Sequence, residues 1–340
     1  MIGRTPTTPI GLDLGDTVLR AVQLEQRNCR WEARDAIEMS RLYPGQPFNE
    51  DEARRLAAVL SRRSFVGQSL VVSLPNGELI RGLVEVNGKT EDGPMFEAAL
   101  EIERTHALEP GTYELAAWLP PASGNRRQTA VCVNGCKHAT STALLDAFES
   151  AGLTVLALDS RACAIGRVLE PPRQGQPQLT AVLDIEAENT ELTLIHDGNV
   201  VYQRALLDSG LNQAAKRLAD HGLSETSARY SLSTFGLAHV EHDYAEPVRK
   251  ALAGFVRGLV QEAEPALDYA ARIYTDLPIE RLAVVGCGAA VPALGYELQQ
   301  QLRLATPAKP IEVASLDQAA AFAVALGMAL HPEEVAWAAA

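Results

Sequence analysis

A short pattern occurs twice in this chain, and the spacing of its two copies limits the folds open to it. Leu12-Asp13-Leu14 and Leu183-Asp184-Ile185 each close an apolar run, and each leads into a polar turn and a second strand-like run. Asp13 and Asp184 stand half the length of the 340-residue chain apart. A triplet alone matches easily by chance. The shared strand-turn-strand context makes a duplicated domain the economical reading. The chain is also long enough for about two domains with sizeable cores.

The elements around these copies support an α/β class. Ile10–Leu14 runs through Gly15-Asp16-Thr17 into a returning strand over 18–25, and a further strand spans 31–39. Asn49 or Asp51 caps a helix reaching about Ser61, with Glu52, Leu56 and Leu60 at helical spacing. Strands follow at 69–74 and 78–86, a helix at 94–107, and strands at 113–118 and 130–133, the last two separated by a loop over 122–127. A helix over 139–151 ends at Gly152, a strand covers 153–158, and a helix starting at Ser160 stops before Pro171-Pro172. The Pro171–Pro177 run reads as a linker. The second half brings strands at 179–185, 191–196 and 200–206, with Asp197-Gly198 as a tight turn, and a helix after Asp208-Ser209-Gly210. A long helix over about 246–274, a strand at 281–285, a helix over 291–303, a short strand near Ile311 and a last helix over about 316–330 complete it.

Composition excludes several function classes. The formal net charge is -13, which argues against broad binding to nucleic acid or to an anionic membrane face. No run approaches the roughly 20 apolar residues of a membrane span, and the N-terminus has no signal-peptide pattern, so a cytoplasmic location is expected. Aromatic residues make up 5% of the chain, which leaves the cores to Leu, Val, Ala and Ile. The five cysteines are scattered, as in a reducing compartment. Cys132 and Cys136, with His138 beyond, lack the second close pair that a zinc site needs; Cys132, between Val131 and Val133, reads as strand interior.

Two hairpins, each with an aspartate at a strand end, are a chemical pattern. Backbone N–H groups of such turns can cradle a polyphosphate, and Asp13 and Asp184 can hold Mg²⁺ directly or through its waters. A third element, Val284-Val285-Gly286-Cys287-Gly288-Ala289-Ala290, has glycines that would let backbone approach a nucleoside, with a helix start beside it. The competing reading leaves Asp13 and Asp184 as carboxylates that cap turns, and Gly286 and Gly288 as a plain strand-to-helix turn.

In order and spacing these elements resemble the actin-like ATPase superfamily, and more closely its PilM pilus-assembly family, related to the cell-division protein FtsA. Asp13 to Thr17 matches the first phosphate hairpin, Val182 to Thr193 the second, and Gly286 to Ala290 the adenosine-site turn. Val71–Pro75 followed by Arg81 looks like the inserted small subdomain, Leu145–Asp159 like the family's helix-glycine-strand segment, and Val324–Ala329 like its closing helix. The resemblance implies an actin-like (ribonuclease H-like) duplicated two-lobed fold. The first lobe would be 1–174, with an inserted subdomain at about 48–120 and a returning helix at about 316–330; the second would be 175–315. It also implies a nucleotide site formed by Asp13, Gly15, Asp16, Thr17, Asp184, Asn189, Thr190, Gly210, Lys216, Gly286, Cys287, Gly288 and Ala289, for ATP and Mg²⁺. It implies further a bitopic inner-membrane partner bound through its cytoplasmic N-terminal segment, and hence peripheral recruitment to that membrane.

The sequence departs from the family where phosphate would sit. Asp16 stands in the first turn, and Glu186 and Glu188 in the second, where the family has small residues or glycine. A Cβ obstructs close phosphate approach, and a carboxylate about 4 Å from phosphate costs roughly 1 kcal/mol in water and about 4 in a half-buried cleft. Lys216 could reach a nucleotide or stand as a solvated surface lysine. The reading is a scaffold of a type IV pilus or type II secretion platform with weak or absent ATP hydrolysis and no assigned catalytic residue. The alternatives are an active ATPase or sugar-kinase-like enzyme on the same fold, for which no carboxylate stands out as general base, and a self-associating filament former.

Overall fold

The structure is a computed structural model that describes residues 5–87, 92–120, 129–172, 177–220, 222–238 and 241–332; the loop expected over 122–127 and the middle of the 171–177 linker lie outside them. The chain forms two compact units, one taking in the chain up to Val168 and again from Ile311, the other Leu169–Pro310.

The first unit opens with β1 (Ile10–Leu14), β2 (Val18–Arg27) and β3 (Arg30–Ser40), an antiparallel meander. Helix α1 (Glu50–Leu60) follows because the Asn49 side chain accepts from the backbone N–H groups of Asp51 and Glu52, and because Ala53, Leu56 and Leu60 share its buried face. β4 (Ser69–Ser73) then runs parallel to β1. Next come β5 (Ile80–Val86), α2 (Gly93–Thr105), β6 (Tyr113–Trp118) and β7 (Thr129–Lys137). Helix α3 (His138–Ser150), β8 (Thr154–Asp159) and α4 (Arg161–Val168) return the chain to the first sheet, whose order is β3-β2-β1-β4-β8.

β5, β7 and β6 form a separate three-stranded antiparallel sheet with its own core of Ile80, Ala98, Ile102, Val131 and Val133. Relative to the segment 48–120 expected from sequence, this small sheet begins and ends later. α1 packs instead with Leu12, Leu70 and Phe148 in the core of the first sheet, and β7, with Cys132 buried in it, is the central strand of the small one.

The second unit repeats the plan. β9 (Leu179–Ile185), β10 (Thr190–His196) and β11 (Asn199–Leu206) form an antiparallel meander. Helices α5 (Asn212–Ala219), α6 (Glu225–Phe235) and α7 (Ala245–Ile273) pack on one another. β12 (Ile279–Val285) lies parallel to β9, and after α8 (Leu294–Gln301) β13 (Thr306–Pro307) lies parallel to β12. The order β11-β10-β9-β12-β13 reproduces that of the first sheet strand for strand, including which pairs are parallel.

Three boundaries move from the sequence reading. α8 starts at Leu294 rather than 291 because Gly286–Ala290 forms a 3₁₀ turn and Ala293 adopts a left-handed conformation. The strand expected near Ile311 is β13, a few residues earlier. The last helix, α9 (Ala323–Ala329), is much shorter than 316–330. α9 belongs to the first unit and packs on α4, β1, β2 and β4. Glycine makes that approach possible, since a Cβ at Gly327 would collide with the Ala164 carbonyl and one at Gly11 with the Ala325 carbonyl.

Candidate functional site

The register of the first hairpin decides the surroundings of Asp13. Leu14 faces Leu19 and Asp13 faces Arg20, so the two charged side chains leave the sheet on one face as a cross-strand pair. Asp13 is 1% exposed. One carboxylate oxygen is 3.5 Å from the Arg20 guanidinium, and the other is paired with Arg161 at the start of α4. The Ser73 hydroxyl, at the end of β4, donates to Asp13 at 3.4 Å and accepts from the Leu14 N–H at 2.8 Å. Arg20 also donates to Glu38 at 2.8 Å. The turn itself is tied down from outside. The Arg41 and Gly45 N–H groups donate to the Thr17 and Asp16 carbonyls at 2.9 and 3.0 Å, with Gly15 and Thr17 buried.

These residues do not fit a magnesium ligand set. Mg²⁺ needs near-octahedral oxygen coordination with several retained waters, whereas the Asp13 carboxylate is committed to two guanidinium groups that are themselves buried. Breaking a buried ion pair by removing one partner costs about 3–5 kcal/mol.

The second turn is closed by backbone. Gly210, Leu211 and Asn212 donate their N–H groups in succession to the carbonyls of Glu188, Glu186 and Ala187, at 3.0, 3.0 and 2.8 Å. The donors at the start of α5, which a phosphate would need, are therefore spent. A Cβ at Gly210 would strike the Ala187 carbonyl, so this glycine serves the packing of the turn. Thr190 donates to the Ser209 carbonyl at 2.6 Å, and Asn189 accepts from the Asp208 N–H at 3.2 Å. Lys216 is exposed on α5.

At the glycine turn, Gly286 has φ +71, a conformation that favours glycine, and a Cβ there would lie 2.6 Å from an oxygen of Asp184 and 2.6 Å from one of Glu186. Gly288 packs on Ile185. The buried Glu186 carboxylate accepts from the Cys287 thiol at 3.0 Å, and Ala289 is half-buried. Asp184, Glu186, Gly286 and Cys287 are thus gathered at one turn. Asp184 faces Glu191 across the hairpin, where the first copy has Arg20 facing Asp13. Sequence reading passed over Arg20, Ser73 and Arg161. Counting the hairpin register would have found Arg20, because a four-residue connection from Leu14 to Leu19 sets it opposite Asp13.

A second feature of the first unit lies away from these turns. β8 is an edge strand of the first sheet and β6 an edge strand of the small one. With β7 and α3 they enclose a groove of about 540 Å³, walled by Ala116, Trp118, Leu145, Val155 and Leu156. Leu145 and Leu156 are 39% and 41% exposed, and Glu114 stands at the rim.

Two sheets of identical order, each opening with an aspartate-bearing hairpin, give the chain an actin-like fold. The chain belongs to the PilM family of type IV pilus assembly proteins, whose family model, "Type IV pilus assembly protein PilM", matches residues 11–332. Among solved structures it is similar to the PilM-PilN type IV pilus biogenesis complex, with TM-score 0.72 and 22% identity over 95% of this chain and 98% of that one. It is similar in fold to the ethanolamine utilization protein EutJ of Carboxydothermus hydrogenoformans (TM-score 0.55, 15% identity, covering 96% of this chain and 89% of that one). The same holds for MreB 5 of Spiroplasma citri bound to AMPPNP (TM-score 0.52, 13% identity, 99% of each chain).

Proposed function

We propose that this type IV pilus assembly protein is an adaptor that holds a short cytoplasmic segment of a bitopic inner-membrane partner and is recruited to the membrane by it, with weak or absent ATP hydrolysis. The observation that carries the reading is the groove between β6 and β8. It is bordered by the edge strand of each sheet, β6 and β8, and half-exposed Leu145 and Leu156 stand where alternate side chains of an added strand would seat. Its chemistry suits such a segment. Cytoplasmic flanks of membrane spans are rich in Lys and Arg, and here the rim carries Glu114 on a chain of net charge -13. The similar PilM structure was solved as a complex with PilN, which supports a membrane-system partner for this chain too.

Low turnover is supported by the site. The Asp13 carboxylate is held by arginines, the donors at the start of α5 are spent on the second turn, and the Glu186 carboxylate lies against the glycine turn. ATP contact, in this reading, is left to the Gly286–Ala289 turn. Leu156→Glu, which puts a charge in the groove wall, is expected to weaken binding of a partner's N-terminal peptide by at least about tenfold, or ~1.4 kcal/mol, while leaving the circular dichroism spectrum unchanged. Calorimetry with the peptide is the measurement, and unaltered affinity would remove the groove from the reading. A phosphate-release assay with Mg²⁺ and ATP checks turnover; a rate far above background would return the ATPase reading.

A further inference from the structure

We propose that the first hairpin is a metal-free site, in which Arg161 occupies the position on Asp13 that a divalent cation would need. The proposal goes beyond the adaptor reading and stands or falls without it.

The strands β1, β4 and β8 are parallel, and Asp13, Ser73 and Asp159 stand at or next to their C-terminal ends. That edge of a parallel sheet is where ligands of α/β proteins gather. Here both carboxylates at the edge are already met by arginines of the same helix. Arg161, the first residue of α4, pairs with Asp13, and Arg167, near its end, donates to Asp159 at 2.6 Å. Arg20 adds a second guanidinium on Asp13 from the opposite strand. The Arg161 and Arg20 side chains are 3% and 2% exposed, so neither can swing into solvent without unpacking its surroundings.

The residue type matters as much as the geometry. A lysine in this position could lose its proton and yield to a metal, but a guanidinium keeps its charge at any pH a protein survives. A divalent ion would therefore meet two fixed positive charges and a carboxylate with both oxygens already engaged. Arg161 and Arg20 do for Asp13 what a hydrated cation would do: they neutralise it and fix its orientation, as a permanent part of the fold.

The test uses the full chain and reads thermal midpoint and ATP affinity in EDTA and in millimolar MgCl₂. Wild-type ATP affinity, whatever its value, is expected to agree between the two conditions within about twofold. Asp13→Asn should lower the midpoint by the same amount in both, because it leaves buried guanidinium groups short of a partner. Asp13→Asn combined with Arg161→Met should recover much of that loss, since both charges go together. The proposal is overturned if Mg²⁺ tightens ATP binding by about tenfold or more and Asp13→Asn abolishes the effect. It is also overturned if the double variant is no more stable than Asp13→Asn. Should the variants fail to fold, wild type with Mn²⁺ and ATP decides by electron paramagnetic resonance. Mn²⁺ immobilised on the protein overturns the proposal; Mn²⁺ that tumbles with free ATP upholds it.

Discussion

Glu52 holds a stretch of irregular chain in place from inside a helix. Its carboxylate, 1% exposed in the first turn of α1, accepts from the Arg41 guanidinium at 3.0 and 2.6 Å and from the Leu42 N–H at 3.0 Å. Arg41 in turn donates its N–H to the Thr17 carbonyl and lies over the Phe48 ring, so one carboxylate anchors the segment that covers the first turn. Glu52→Ala should cost about 3–5 kcal/mol in urea unfolding, because it removes the charge partner of a buried guanidinium and leaves it only the Gln46 carbonyl. A second residue gives a pH dependence. Burial, with Cys163 nearby, pushes the Cys132 thiol from 9.0 up to about 12. A folded-state pKa above the unfolded one contributes stability that is complete below the unfolded value and is lost as pH rises toward the folded one. Stability should therefore decline between about pH 9 and 12, and Cys132→Ala should flatten that part of the curve in thermal melts. Of this residue chemistry the sequence shows the strand-interior cysteine and the helical spacing of Glu52, Leu56 and Leu60. It conceals the partners, because Arg41, Arg20 and Arg161 read as ordinary surface charges until tertiary contact brings them to Glu52 and Asp13.

Elements with strong local signals are legible, and those whose ends are set by packing are not. β1, β2 and β9 to β11 follow apolar runs broken by turn residues, and α1 follows its Asn49 cap. α6 passes unnoticed in the sequence, because its start depends on the Ser224 side chain accepting from the Ser227 N–H in a polar stretch. α9 is shorter than its apolar run suggests: the residues before Ala323 form turns, and the helix is defined by what it touches. Gly327 and Gly11 are the contact points there. Gly327→Val should lower stability by about 3 kcal/mol or more, since overpacking against backbone cannot be relieved by a rotamer change. A lowered thermal midpoint measures this, and a substitution at exposed Gly77, which has open space around it, serves as the control.

For the whole molecule, duplication was visible from two triplets because each carries its hairpin with it. The matching β9-β12-β13 and β1-β4-β8 parallel sets were not, since their partners are far apart in sequence. The chain division has an experimental consequence. The unit Leu169–Pro310 is one continuous stretch, whereas the other needs the chain from Ile311 onward. A fragment of residues 169–310 should fold alone and give a dispersed amide spectrum. A fragment ending at 168 should not, because the face of β1 around Gly11 is then left without α9.

The return of α9 also sets an order of events on the ribosome. The first unit is begun first yet lacks its closing helix until the second unit has been made in full. At about 5–20 residues per second, the 169–340 stretch imposes a wait of roughly 10–30 s. Throughout that wait Gly11 and Ala164 face solvent, or a chaperone, in place of α9. A nascent chain that stalls or is cut before Ala323 never completes the unit that carries the groove, so under the adaptor reading proposed above premature products would be barred from competing for the partner.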